Sequence, residues 1–186
     1  MLRRIVVRGG SGAGKSTLVR ALARHLGVQH VELDALHHGP GWAPASPAEL
    51  QASVRALLDD AEGWVVDGNY DEKLSALVLD RAQLVLWLDV PLGTKLLRLL
   101  GRTAARWWRD EELWNGNREN LKTAIWGADA LFPWALRSHF EHRRRWPELF
   151  RGRRVLRLRS AGEVQEWFRA FTARGPEGEH GRGDTP

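Results

Sequence analysis

The chain of 186 residues contains no cysteine. That absence excludes a disulfide framework, a thiolate zinc site, an iron–sulfur cluster and a cysteine nucleophile. Methionine and tyrosine occur once each. Lysine is scarce as well, since only 4 of the 28 basic residues are Lys and 24 are Arg. No apolar run reaches the roughly 18 residues of a membrane-spanning helix. The apolar run near the start, Ile5–Val7, is far too short for a signal-peptide core. The expectation is a soluble, cytoplasmic protein with no membrane partner.

What is present reads as globular. Apolar residues make up 43% and charged residues 27%, enough to bury a core without staples. The net charge of +5 is unevenly spread. Residues 1–97 hold 10 basic and 11 acidic residues, 98–159 hold 15 and 7, and 160–186 hold 3 and 5. The positive excess is therefore one late block. Six of the ten Trp (107, 108, 114, 126, 134 and 146) fall inside it. The preference for Arg has two readings: a genome rich in Arg codons, or polyphosphate recognition by the guanidinium fork.

Short apolar runs alternate with helical patterns along the chain. Ile5-Val6-Val7 predicts a first strand, Val28–Leu33 a second, Trp64-Val65-Val66 a third, Leu84–Leu88 a fourth and Val155–Leu158 a fifth. Helical spacing follows over 16–26, ended by Gly27. It recurs over 47–61, opened by the capping box Ser46-Pro47-Ala48-Glu49, and near 71–79, 92–108, 117–125, 133–150 and 161–173. Solid Val/Leu/Ile strands alternating with helices imply a parallel sheet covered on both faces. The expected domain is single, residues 1–173, with a disordered Gly/Pro-rich tail over 174–186.

Gly9-Gly10-Ser11-Gly12-Ala13-Gly14-Lys15-Ser16 fits G-x-x-x-x-G-K-[ST], after a strand and opening a helix. Such a loop turns successive backbone N–H groups toward phosphate oxygens, and the helix N-terminus adds partial positive charge. Gly9 to Thr17 are the expected nucleotide-binding residues, with Lys15 reaching the β- and γ-phosphates and Ser16 binding Mg²⁺. The dinucleotide pattern G-x-G-x-x-G fails in either frame, because Lys15 or Thr17 stands where the third Gly is needed. Two acids end neighbouring strands. Asp67 is the candidate second ligand for Mg²⁺, and Asp34 the candidate base or orienting group for an attacking hydroxyl. Either could instead cap a following turn. Asp89, ahead of Pro91, reads as structural.

These stretches resemble the adenylate-kinase-like P-loop kinases and, more narrowly, the bacterial DNA-topology-modulation (FlaR-type) P-loop proteins. The matching segments are GGSGAGKSTLVRALARHLG, VELDALHHGPGW, WVVDGNY, LVLWLDVP, ELWNGNRENL and RVLRLRS. The resemblance covers roughly residues 3–170. It implies a three-layer P-loop fold with a five-stranded parallel sheet, ATP as phosphate donor, and an Arg-bearing helical lid, placed at about 98–150. Adenylate kinases proper carry D-G-[FY]-P-[RK] after the third strand, where this chain has Asp67-Gly68-Asn69-Tyr70, so AMP is not indicated as the acceptor.

Arg98, Arg102, Arg106 and Arg109 form one stripe of a helix. They read either as a solvated face or as a lid closing on ATP phosphates, with Arg102 and Arg106 the first choices. Leu92, Leu96, Leu99 and Leu100 are expected on the opposite, core-facing side. Arg137 and the Arg143–Arg145 run are weaker candidates, and that run cannot point to one place. Trp107, Trp108 and Trp114 fit the core of a helical sub-domain or a stacking surface for nucleic acid. Trp42 fits a loop anchor or an acceptor stack, and His37-His38 fit the substrate loop better than a metal site. The expected function is an ATP- and Mg²⁺-dependent phosphotransferase acting on a small molecule, from a monomer or homodimer. The alternatives are a nucleotide-gated DNA-binding regulatory ATPase and a polynucleotide 5′-hydroxyl kinase.

Overall fold

The structure, a computed structural model, describes residues 2–74, 76–109, 115 and 131–173. Five strands form one sheet: β1 (Arg4–Gly9), β2 (Gln29–Glu32), β3 (Trp64–Asp67), β4 (Leu84–Leu88) and β5 (Val155–Leu158). Their spatial order is β2-β3-β1-β4-β5 and every pair is parallel. The helices are α1 (Lys15–Leu26), α2 (Leu33–His37), α3 (Pro47–Asp59), α4 (Asp71–Leu74), α5 (Leu92–Arg109), α6 (Leu131–Leu149) and α7 (Ala161–Ala173). A single 3₁₀ turn covers Pro40–Trp42.

Both faces of the sheet are covered, which is why the strands read as unbroken apolar runs. On one face Ile5, Val7, Val65 and Leu86 pack against Leu18, Val19 and Leu22 of α1, with Trp167, Phe168 and Phe171 of α7 at the margin. On the other, Val6, Val31, Val66, Val85 and Trp87 meet Leu50, Val54 and Leu58 of α3, and Trp146 and Phe150 at the end of α6. The capping box forms as expected. The Glu49 amide donates to Ser46 Oγ (3.3 Å) and the Ser46 amide to Glu49 Oε2 (2.9 Å). Asp89 has the structural role expected of it. Buried at the end of β4, it accepts from Arg143 Nε of α6 (2.8 Å) and Arg157 Nη2 of β5 (2.6 Å), and the Arg157 guanidinium lies 4.1 Å from the centre of the Trp87 ring. Burial by itself would raise the Asp89 carboxyl, but these hydrogen bonds outweigh it and hold it below the ordinary range.

Several boundaries differ from the sequence reading. β2 stops at Glu32, and Leu33 opens α2 instead of closing the strand. Here the Leu33 side chain is packed tightly on the next strand's end: Gly68 has φ +130°, and a Cβ there would lie 2.7 Å from Leu33 Cβ, as near as glycine allows. Asp34 sits in the first turn of a helix. The helix expected near 71–79 is confined to Asp71–Leu74. On α5, Leu99 is buried but Leu100 is half exposed, so Leu100 is not on the core side. Trp108 is 83% exposed and therefore not part of a helical core. The helix expected over 117–125, the stretches 110–114 and 116–130 of the expected lid with Trp114 and Trp126, and the tail over 174–186 lie outside the described residues.

Candidate active site

The sheet order places β1 between β3 and β4, so the chain leaves β1 at the point where successive connections depart to opposite sides. Ligands of open α/β sheets bind outside the carboxyl ends of the strands at such a point. The loop from β1 to α1 stands there. Gly12 (φ +78°) and Gly14 (φ +96°) are left-handed, and the Ala13 amide donates to Gly10 O at 3.1 Å, closing a tight turn. No acidic residue occupies the first turn of α1, so its positive end is not neutralised locally. A Cβ on Gly12 would lie 2.4 Å from the carbonyl oxygen of Lys95 on α5. Gly12→Ala therefore combines a strained φ with a backbone collision. A loss of at least about 1–2 kcal/mol is expected from the left-handed strain alone, read as a lower urea midpoint with an unchanged slope.

Asp67 ends β3 directly beside β1, in register with Val7. Ser16 Oγ donates to Asp67 Oδ2 at 2.9 Å, and Lys15 Nζ lies 3.9 Å from Oδ1. Asp67 is 4% exposed, and its Oδ1 has no hydrogen-bond partner among the described residues. A buried carboxylate oxygen with unused acceptor capacity, next to a hydroxyl and at the mouth of a phosphate-type loop, fits a hard cation held partly by phosphate oxygens. Among the described residues no group of three or more His, Asp or Glu could hold a metal by itself.

Asp34 lies one strand further along, two residues beyond the end of β2. The Tyr70 hydroxyl donates to Asp34 Oδ1 at 2.7 Å and stands 3.3 Å from His38 Nε2. Burial, followed by the Asp34 charge, raises the Tyr70 phenol above its ordinary range, so the hydroxyl stays protonated and a donor. The His37 ring packs on Tyr70, and the Trp42 ring meets His38 edge-on. Lys73 Nζ donates to Ala45 O at 3.0 Å and lies 3.5 Å from the His37 ring nitrogens. Burial, with Lys73 and His38 adding to it, keeps His37 below the ordinary imidazole range. Asn115 Nδ2 donates to the carbonyls of Ala35 and His38, joining a residue of the expected lid segment to this loop.

The structure thus brings Lys15, Ser16 and Asp67 together, and places Asp34 on the neighbouring strand end. Of the arginine stripe it brings Arg98 to the loop, with Nη1 3.5 Å from Ala13 O. Arg102 is exposed one turn further on, and the Arg106 side chain lies outside the described residues. The Arg143–Arg145 run diverges as anticipated, since Arg143 pairs with Asp89 and Arg145 with Glu72.

Sequence reasoning missed four contributors. Asn69 brackets Gly9, donating to its carbonyl at 2.8 Å and accepting from its amide at 3.5 Å. Arg8, fully buried on β1, donates to Gly68 O and to Asp71 Oδ1. Tyr70 orients Asp34. Lys95 lies buried against the loop. A charged residue inside an otherwise apolar strand was the available signal for Arg8. Tyr70 had the sequence's single tyrosine as its signal.

No protein family's sequence profile matches the chain, and no curated protein matches it by sequence. Solved structures do match its fold. Shikimate kinase from Acinetobacter baumannii in complex with shikimate aligns with a TM-score of 0.55 at 16% identity, over 95% of this chain and 97% of that one. A gluconokinase from Sinorhizobium meliloti aligns at 0.51 and 20% identity, over 92% of each chain. Deoxyadenosine kinase from M. mycoides with bound dCTP aligns at 0.50 and 11% identity, over 91% of this chain and 98% of that one. The chain has the fold of P-loop kinases.

Proposed function

We propose that this chain is an ATP- and Mg²⁺-dependent phosphotransferase that phosphorylates a hydroxyl of a small molecule. The observation that carries the reading is the convergence of Lys15, Ser16 and Asp67, whose Oδ1 accepts no hydrogen bond among the described residues, beneath a left-handed glycine loop, one strand away from Asp34. That the fold is shared with kinases of a cyclic hydroxy acid, a sugar acid and a nucleoside supports it.

In this reading the loop amides and Lys15 hold the donor phosphates. Ser16 Oγ and Asp67 would hold Mg²⁺, which supplies charge neutralisation and orientation of the phosphate oxygens. Asp34, with Oδ1 occupied by the Tyr70 hydroxyl, retains Oδ2 to accept the proton of an attacking hydroxyl. Trp42 and His38 offer flat surfaces for the acceptor. Arg98 and Arg102 of α5 belong to the lid, where a guanidinium can meet the charge that develops on the transferred phosphoryl group.

Five arginines of the basic block are engaged with carboxylates: Arg143 and Arg157 with Asp89, Arg145 with Glu72, Arg151 with Glu148 and Arg153 with Asp80. These pairings favour the small-molecule reading over a nucleic-acid surface. The test is transfer from labelled ATP, with Mg²⁺, across nucleosides, nucleoside monophosphates, sugars, sugar acids and 5′-hydroxyl oligonucleotides. A labelled small-molecule product is expected. Label on oligonucleotides alone would establish the polynucleotide alternative, and no transfer to any acceptor would remove the kinase reading.

A further inference from the structure

We infer that Lys95 is a second, proton-coupled cation of the phosphate site: its buried amine, held between Gly10 and His139, takes up a proton and becomes an ammonium when nucleotide phosphates occupy the loop. This rests on the reading of the loop as a nucleotide site, and it adds a coupling of nucleotide binding to proton uptake.

Lys95 is 4% exposed. It packs on the loop twice. Its carbonyl oxygen fills the place a Gly12 side chain would take, and its Nζ lies 3.2 Å from where a Gly10 Cβ would stand. Its hydrogen-bond partner among the described residues is His139 Nδ1 on α6, at 2.6 Å. An ammonium can only donate. If Lys95 is charged, His139 must therefore be neutral and carry its proton on Nε2.

That arrangement is a poor home for a charge. A buried ammonium needs an anion or several acceptors. The carboxylate that favours the charge, Asp89, already accepts from Arg143 and Arg157. Lys15 of α1 and Arg143 of α6 both repel it. Burial, first of all, pushes Lys95 down to about 8, with Asp89 opposing and Arg143 and Lys15 adding.

Two neighbouring imidazoles of α6 show the same pressure. His139 is lowered by burial, Lys95 and Arg143, against Asp89. His142 is pushed down to about 4 by burial and then by Lys95, Lys15, Arg8 and His139. The region behind the loop is short of negative charge, and nucleotide phosphates supply it.

The direction follows from linkage. Phosphates favour the charged form and raise Lys95 toward its ordinary value. Binding then takes up a proton wherever free Lys95 is partly neutral, and affinity falls as pH rises above about 8. In the nucleotide-free protein the unfolded chain holds this proton more tightly, so stability rises with pH between about 8 and the unfolded value near 10.4.

The experiment is calorimetric titration of Mg²⁺-ADP into the full chain, in buffers of different ionisation enthalpy, from about pH 7.5 to about pH 9. For the unaltered protein, uptake approaching one proton per nucleotide is expected at the upper end, with affinity several-fold weaker there. Lys95→Arg keeps a permanent charge and should bind without the pH-dependent loss or the uptake. Lys95→Met should bind more weakly than the unaltered protein at about pH 7.5 and by more than the unaltered protein itself loses by about pH 9, take up no proton from this position, and melt higher near neutral pH because a buried charge is gone. An unchanged pH profile in both variants, or no proton uptake by the unaltered protein, overturns the inference while leaving the nucleotide site standing. No binding of Mg²⁺-ADP at any pH overturns both.

Discussion

Lys15→Ala will reduce phosphate transfer from ATP by about 10²–10³-fold, the loss typical of removing one donor aimed at developing transition-state charge. Lys15 begins α1, where the helix end is positive and the first turn holds no carboxylate. Its ammonium stands 3.9 Å from Asp67 and is only partly exposed. The residue lies in neither apolar cluster, so the melting temperature should hold or rise, since one of the cations opposing Lys95 and His142 is removed. Lys15→Arg should rescue poorly, because the planar fork cannot take the place of a compact ammonium inside the loop. Single-turnover transfer, alongside a thermal melt, separates chemistry from stability. A variant with full activity and an intact fold would sink the kinase reading.

Asp67→Asn is the second large effect. The amide oxygen can still accept from Ser16, so the loop keeps its tie to β3. What changes is the other atom. Oδ1, buried and without a hydrogen-bond partner among the described residues, becomes an NH₂ facing the Lys15 ammonium. A donor cannot ligate Mg²⁺, and two donors repel. Transfer is expected to fall by about 10²–10³-fold or more, and the Mg²⁺ dependence of nucleotide binding should flatten, while binding without Mg²⁺ changes little. If Mg²⁺ strengthens nucleotide binding equally in both proteins, Asp67 is not a metal ligand.

Legibility in the sequence tracked distance along the chain. The glycine loop, its lysine and its serine are contiguous, so the tight turn with left-handed Gly12 and Gly14 leading into α1 could be read directly from Gly9 to Thr17. The strands were equally plain, because a sheet covered on both faces needs unbroken apolar runs such as Leu84–Leu88. Asp67 and Asp34 were found by a rule of position, the carboxyl ends of parallel strands, but the turn of helix that carries Asp34 was not. In that turn Leu33 packs on Gly68 across the strand pair, a contact between distant residues. Leu100 and Trp108 were misplaced for a related reason. A helix stripe shows which residues share a face, and only the neighbouring elements decide whether that face is covered.

The amino-acid sequence by itself determined the layered α/β sheet, the glycine turn between β1 and α1 and the two carboxylates at or just beyond strand ends, since each follows from local geometry or from a fixed period. Tertiary structure alone decided which arginine approaches the loop, how Tyr70 engages Asp34 and why Asp89 is closed by two arginines. It also decided that Lys95 of α5 meets His139 of α6, 44 positions later. Such pairings depend on how one helix returns against another. Their energies come from burial and from the charges of elements far apart in the chain, and neither is written in the spacing of residues along a single segment.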